Sequence, residues 1–219
     1  MTIGVVVAAL VGAVFGFSAD RLSARWPEHE HETQRGFDWR TMVVTAGGAA
    51  AFAALAWRWT EPADLAVLGL YVAALIVLLA TDLDQKLLPD LITFPLMGYA
   101  LVVLLLGLNP VLADKAQTLV AHGDLGALLA AIGAPALLAI TDRVFRGALG
   151  MGDLKLAVSL GLMFGVTQLF AGFLVGTVAF AAVVLVLVLS RRLSMKTAVP
   201  FGPALIVAGV AAAVIELPA

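Results

Sequence analysis

The sequence predicts an all-α, polytopic integral membrane protein of about eight transmembrane helices, and three observations predict it. Hydrophobic residues make up 62% of the chain and charged residues only 13%, where an average soluble domain is roughly 45–50% apolar and about 25% charged. The mean hydropathy is +1.05. The apolar residues fall in runs close to the roughly 17–25 residues that cross a bilayer as a helix, and charge, proline or loop residues separate the runs. Residues 1–219 are expected to form one transmembrane domain, with 20–40 as a short loop inside it.

Taken in order, the first expected span is Ile3 to Ala19. It has no basic residues before it and gains them only after it, which argues for a retained span and against a cleaved signal peptide. The second and third are Thr41 to Trp57 and Leu65 to Thr81, with Asp64 expected to cap the third. The fourth, Leu91 to Leu108, follows Pro89-Asp90, where Asp90 is the expected N-cap. Asn109-Pro110 through Gly123 reads as a loop with short helical character, and the fifth span is Leu125 to Thr141 with Asp142 and Arg143 at its end. The sixth, Leu154 to Val166, is short, and only Thr167-Gln168 joins it to the seventh, Gln168 to Ser190, so a re-entrant pair is the alternative there. The eighth is Ala198 to Ile215. Gly47-Gly48, Gly161 and Gly165 are expected to let neighbouring helices approach closely.

Orientation follows from the basic residues, which are retained on the cytoplasmic side. Arg21, Arg25, Arg35, Arg40, Lys86, Arg143, Arg146, Lys155, Arg191, Arg192 and Lys196 fall in the loops after spans one, three, five and seven, leaving only Arg58 and Lys115 for the other side. The N-terminus is therefore expected outside and those four loops inside. Trp26, Trp39, Trp57 and Trp59 lie near span ends, as an interfacial aromatic belt requires. A net charge of −2, a pI of about 5.9 and no basic cluster with interleaved aromatics give no footing for nucleic acid. The absence of cysteine removes disulfides, thiolate metal sites and a cysteine nucleophile.

Two polar stretches break this apolar pattern. Gly150-Met151-Gly152-Asp153-Leu154-Lys155 opens the sixth span, and Thr81-Asp82-Leu83-Asp84-Gln85-Lys86-Leu87-Leu88-Pro89-Asp90 closes the third. Ionisable residues at membrane depth are costly and usually functional. The topology brings Asp82 and Asp153 to the same cytoplasmic boundary, where they can meet. Two adjoining carboxylates in a low-dielectric site share a proton, so one can take a proton from water while the other donates to a carbonyl. That chemistry hydrolyses an amide. Asp84 competes with Asp82 for the role on these grounds. Gly150 and Gly152 clear space beside Asp153 for a turn or close helix approach. Lys155 either places a cation near the dyad or reaches anionic lipid head groups.

The residues from Asp82 to Pro95, with Gly150-Met151-Gly152-Asp153-Leu154-Lys155-Leu156, resemble the type IV prepilin peptidase family, intramembrane aspartic peptidases of the GxGD class. Gly16, Arg21, Leu22 and Pro27 are similar to that family's first span and its exit, and Val199-Pro200-Phe201-Gly202-Pro203 to a signature before its last span. The family's first catalytic aspartate stands seven residues before the proline of its Leu-Pro-Asp element, and this falls on Asp82; its second falls on Asp153. The resemblance implies cleavage of the basic leader of prepilins or pseudopilins at the cytoplasmic face of a bacterial or archaeal inner membrane, in contact with membrane lipid and without nucleic acid. It implies no metal or other cofactor for proteolysis. Larger members carry a cysteine tetrad in the first cytoplasmic loop and N-methylate the product with S-adenosylmethionine. This chain has no cysteine, so that cofactor is implied only if methyl transfer is present.

Glu28-His29-Glu30-His31-Glu32 invites a metal-site reading, but the two histidines have no third nearby, and a solvated acidic loop is the better expectation. The same acids can draw in a basic leader through long-range attraction. From another class, a small ion- or proton-coupled transporter also uses intramembrane carboxylates. Such carriers place them near the bilayer midplane, within inverted repeats, whereas Asp82 and Asp153 are expected at one interface.

Overall fold

A computed structural model describes residues 2–27, 36–113, 123–145, 150–189 and 201–216. Eight helices and no strands occur among the described residues: α1 Thr2–Ser23, α2 Trp39–Arg58, α3 Pro62–Gln85, α4 Asp90–Leu105, α5 Pro110–Ala113, α6 Gly123–Phe145, α7 Met151–Leu189 and α8 Gly202–Val214. Five of them, α1, α2, α3, α6 and α7, are long and apolar enough to cross a membrane, and α4 and α8 are shorter apolar helices. The chain is a multi-pass membrane protein. Helices α1 and α2 run further than the hydropathy suggests, so the loop expected over 20–40 is shortened at both ends.

Local chemistry sets the helix boundaries. Asp38 caps α2, accepting from the backbone N–H groups of Arg40 at 3.0 Å and Thr41 at 3.2 Å, while Thr41 returns the bond to the cap backbone. That reciprocal box satisfies donors which would otherwise be orphaned at the helix start. Pro62 begins α3 in the first-turn position where its missing N–H costs nothing. Two sequence expectations are corrected here. Glu61, not Asp64, is the N-cap of α3, and Pro89, not Asp90, is the N-cap of α4. Asp64 and Asp90 instead supply negative charge to the first turns, where the helix dipole favours it.

Helix α7 holds two of the expected crossings in one continuous stretch. Its backbone breaks at Gly165, with φ 65° and ψ −177°, a region open essentially to glycine alone. The contacts on either side show that the chain turns back there. Before the break, Gly152 lies against Leu88 of the α3–α4 connection and Met163 accepts through its carbonyl from Asn109, beyond the far end of α4. After it, Gln168 donates to the carbonyls of Ala212 and Ile215, Gly172 lies against Ala208 and Ala212, and Gly176 lies against Ala204 and Ala208. The register descends along α8 as α7 advances, so 166–189 is antiparallel to α8. The turn falls at Gly165 and not at Thr167-Gln168.

The core of the bundle is α3, whose buried face runs through Leu68, Tyr71, Val72, Leu75, Ile76, Leu78 and Leu79 down to Asp82. Around it, small residues set the helix spacing. Gly12 and Gly16 of α1 meet α2 backbone at Gly48 and Val44, and Gly161 meets α6 backbone at Ala130 and Ala131. In each case an added methyl would overlap backbone that cannot move aside. Such close approach is how membrane helices gain packing energy without a hydrophobic drive between them. Gly47 makes only an ordinary contact with Leu79. Ile3, Val6, Val7, Leu10, Val11 and Val14 of α1 face outward, as a lipid-facing surface would.

Candidate active site

One end of the bundle gathers the C-termini of α1, α3 and α6 with the N-termini of α2, α4, α7 and α8. Among the described residues this end also carries Arg21, Arg25, Arg40, Lys86, Arg143 and Lys155, whereas Arg58 lies at the other. Asp82 sits in the last turn of α3, on its buried face, with 4% of its surface exposed. The helix ends three residues later because Lys86 adopts φ 55° and ψ 39°, and its backbone N–H closes on the Asp82 carbonyl at 2.8 Å. This left-handed cap is unusual for a residue with a side chain. It is the only such non-glycine residue among those described.

Asp153 stands in the first turn of α7 and is 7% exposed. Its Oδ2 accepts from the Gly150 backbone N–H at 3.0 Å while its own N–H donates to the Gly150 carbonyl at 3.1 Å. The aspartate of Gly-Met-Gly-Asp thus folds back on the residue that starts its helix, the return half of a capping box. The two carboxylates lie within electrostatic reach of one another, and Lys86 acts on Asp82 with the opposite sign. Asp82 Oδ2 is buried and has no hydrogen-bond partner among the described residues. A buried acceptor left open is expensive.

The two motifs pack directly on one another. A β-carbon on Gly152 would stand 2.8 Å from Leu88 Cβ and 3.4 Å from the Leu88 carbonyl oxygen, so the glycine admits the α3–α4 connection directly onto α7. Gly150 is not crowded in this way; a β-carbon there would meet Asp153 Oδ2 at an ordinary 3.5 Å. Lys155 Nζ bonds Asp90 Oδ1 at 2.5 Å and lies 4.7 Å from the Phe94 ring centroid. It therefore ties α7 to the start of α4, a partner that sequence spacing did not offer. Asp84, the alternative to Asp82, is bound by Arg40 at 2.8 Å across α2 and α3. Neighbouring Asp20 accepts from Arg21 and from Thr41 Oγ1 at 2.8 Å, joining α1 to the same end.

A model of the type IV leader peptidase family matches residues 69–190, more than half of the chain and both aspartates. The chain belongs to the type IV leader peptidase family. Among curated relatives it is similar to a prepilin leader peptidase/N-methyltransferase of Burkholderia pseudomallei strain 1026b, 34% identical over 172 residues. That alignment covers 78% of this chain and 52% of the relative. A second, of Pseudomonas putida and the same description, is 32% identical over 171 residues, covering 78% of this chain and 57% of the relative. The chain spans about half the length of the curated relatives it matches. No solved structure matches it significantly.

For this leader peptidase family member, three contributors escaped sequence reasoning. Leu88, Arg40 and Gly202 all act through contacts between distant segments. Leu88 and Gly202 had signals, as parts of Leu88-Pro89-Asp90 and Phe201-Gly202-Pro203, but neither signal carried a role for them. The acidic stretch Glu28-His29-Glu30-His31-Glu32 lies outside the described residues, as do Val199 and Pro200. No group of three or more potential metal ligands occurs among the described residues.

Proposed function

We propose that this chain is an intramembrane aspartic endopeptidase that removes the basic leader of type IV prepilin-like substrates. One observation carries the reading: two buried aspartates from separate helices share one end of the bundle within electrostatic reach, and Asp82 Oδ2 has no hydrogen-bond partner among the described residues. Asp82 and Asp153 are the catalytic pair. Gly150 supplies the N–H that orients Asp153, Gly152 lets the α3–α4 connection close on α7, and Lys155 braces that closure through Asp90. Asp84, held by Arg40, is structural.

The chemistry needs only these carboxylates and water. The ionised member takes a proton from a water as its oxygen bonds to the scissile carbonyl carbon, and the protonated member gives its proton to the carbonyl oxygen. As the resulting diol collapses, a diol proton returns to the second carboxylate and the C–N bond breaks. The first carboxylate then protonates the leaving nitrogen, which restores the starting state. The basic residues gathered at the site end support a cytoplasmic orientation in a bacterial or archaeal inner membrane. A leader that is cytosolic and basic, followed by a membrane-embedded helix, would present its scissile bond at this depth.

The relatives' names include N-methyltransferase, which uses S-adenosylmethionine. Among the described residues, the buried polar atoms without partners are Arg40 Nε, Thr45 Oγ1, Arg58 Nε and Asp82 Oδ2. Three of them are strung along α2 from one end to the other, so they form no common cradle for a nucleoside and a sulfonium. These residues do not fit that group, and no methyl-transfer step is assigned to them.

The test is cleavage of a co-expressed prepilin, with the product mass read from purified membranes. Cutting just before the hydrophobic segment is expected, and the same spectrum reports any added methyl. An uncut substrate beside a correctly inserted protein contradicts the assignment.

A further inference from the structure

Helix α8 begins against Asp82. Gly202, its first residue, is buried, and a β-carbon built on it would stand 2.7 Å from Asp82 Oδ2, 2.8 Å from Cγ and 3.0 Å from Oδ1. All three atoms belong to the carboxyl group itself. Asp82 has only two side-chain torsions, and its helix is closed immediately below by the Lys86 cap, so the carboxyl cannot swing clear as the tip of a long side chain would. Nothing else among the described residues bonds Asp82 Oδ2, so the group's position on that side is set by contact and not by a hydrogen bond.

We propose that Gly202 is a positioning residue for the reaction: the bare Cα at the start of α8 is the wall that fixes where the Asp82 carboxyl stands relative to Asp153. The inference rests on the reading of Asp82 as a catalytic acid. A β-carbon at 202 pushes the carboxyl away from the place the present packing gives it, since its three nearest atoms all belong to that group. Phe201 supports the wall from outside, since its carbonyl accepts from Ala204 at 3.0 Å and Leu205 at 3.3 Å and so anchors the first turn. The remaining small residues of α8 serve a different purpose, lying against 166–189 and the α3 core.

Gly209→Ala gives the matched comparison. A β-carbon at Gly209 is as crowded, 2.6 Å from Leu160 Cδ2 and 2.9 Å from Leu75 Cδ1, but its neighbours are the ends of leucine side chains remote from Asp82. Leader cleavage by the full chain in membranes is measured for wild type, Gly202→Ala, Gly209→Ala and Asp82→Asn. Gly202→Ala is expected to lower kcat about 100-fold, the scale of an ångström misplacement, with KM within about twofold, whereas Gly209→Ala keeps kcat within about threefold. Wild-type kcat in Gly202→Ala beside a dead Asp82→Asn overturns the inference and leaves the catalytic reading intact. An active Asp82→Asn overturns the catalytic reading, and the positioning role with it.

A thermal double-mutant cycle between Gly202→Ala and Asp82→Ala tests the contact without reference to activity. Removing the carboxyl makes room for the new methyl, so Gly202→Ala is expected to lower Tm in wild type and to lower it much less in Asp82→Ala. If Gly202→Ala does not fold alone, folding of the double variant is the supporting result. Equal losses in both backgrounds, or failure of the double variant as well, contradict the contact.

Discussion

Gly152→Ala tests stability and catalysis separately. The new β-carbon would stand 2.8 Å from Leu88 Cβ, where carbon atoms prefer about 3.5–4.0 Å, so roughly 1 Å of movement must be found. Cβ positions follow the backbone, so no rotamer change relieves the overlap, and either the start of α7 or the Leu87-Leu88-Pro89 connection shifts. Overpacking of this kind costs typically about 1–3 kcal/mol. Alanine regains up to about 1 kcal/mol of helix propensity at this first-turn position. The net loss of stability is thus about 0–3 kcal/mol, which a folded protein tolerates. Where the start of α7 gives way, Asp153, one residue along, moves with it, and an ångström there costs about 100-fold in rate. Thermal unfolding and leader cleavage on the same membrane preparation measure both quantities. Cleavage within about threefold of wild type would refute the view that Gly152 holds the two motifs in catalytic register.

Three further outcomes follow from the same geometry. Asp84→Asn breaks the ion pair with Arg40, whose carboxylate is 5% and guanidinium 31% exposed; removing one partner of a fully buried pair costs about 3–5 kcal/mol, and the half-open arginine reduces this to about 1–3. Unfolding should therefore be easier while kcat stays within about tenfold, as a melting curve and a cleavage assay together show. Lys155→Met removes an ion pair whose members are 24% and 60% exposed, worth at most about 1 kcal/mol, and a contact with Phe94 worth about 0.5–1 kcal/mol; kcat/KM should fall by no more than about tenfold. Gly165→Ala forces a side chain onto φ 65° and ψ −177°, costing about 1–3 kcal/mol besides a contact at 3.1 Å with Leu112. It should lower Tm and the yield of inserted protein, both read on purified membranes.

The features legible in the sequence were those carried by one segment at a time. Apolar run lengths located the apolar helices, and five of these are long enough to cross a membrane. The acids stood out because each interrupted such a run. The cap of α3 was misplaced by three residues and that of α4 by one, since glutamate and proline outside the helix were passed over for the aspartates just inside it. Choices that depended on a distant segment stayed closed. Asp84 meets Arg40, 44 residues earlier, and Lys155 meets Asp90, 65 residues earlier, pairings that no spacing within one segment announces. Glycine is the extreme case, for it carries no side chain to announce its partner. Gly152, Gly161 and Gly202 look alike in the sequence, yet one admits a loop, one a helix and one a carboxyl group. The placement of Asp82 and Asp153 together at one end of the bundle also gives the transporter alternative nothing to build on.

The most direct measurement is cleavage of one prepilin by wild type, Asp82→Asn, Asp153→Asn and Asp84→Asn, each normalised to inserted protein. A shared-proton pair predicts that either of the first two substitutions abolishes cleavage, while Asp84→Asn retains it. Full cleavage by Asp82→Asn or Asp153→Asn would contradict the dyad.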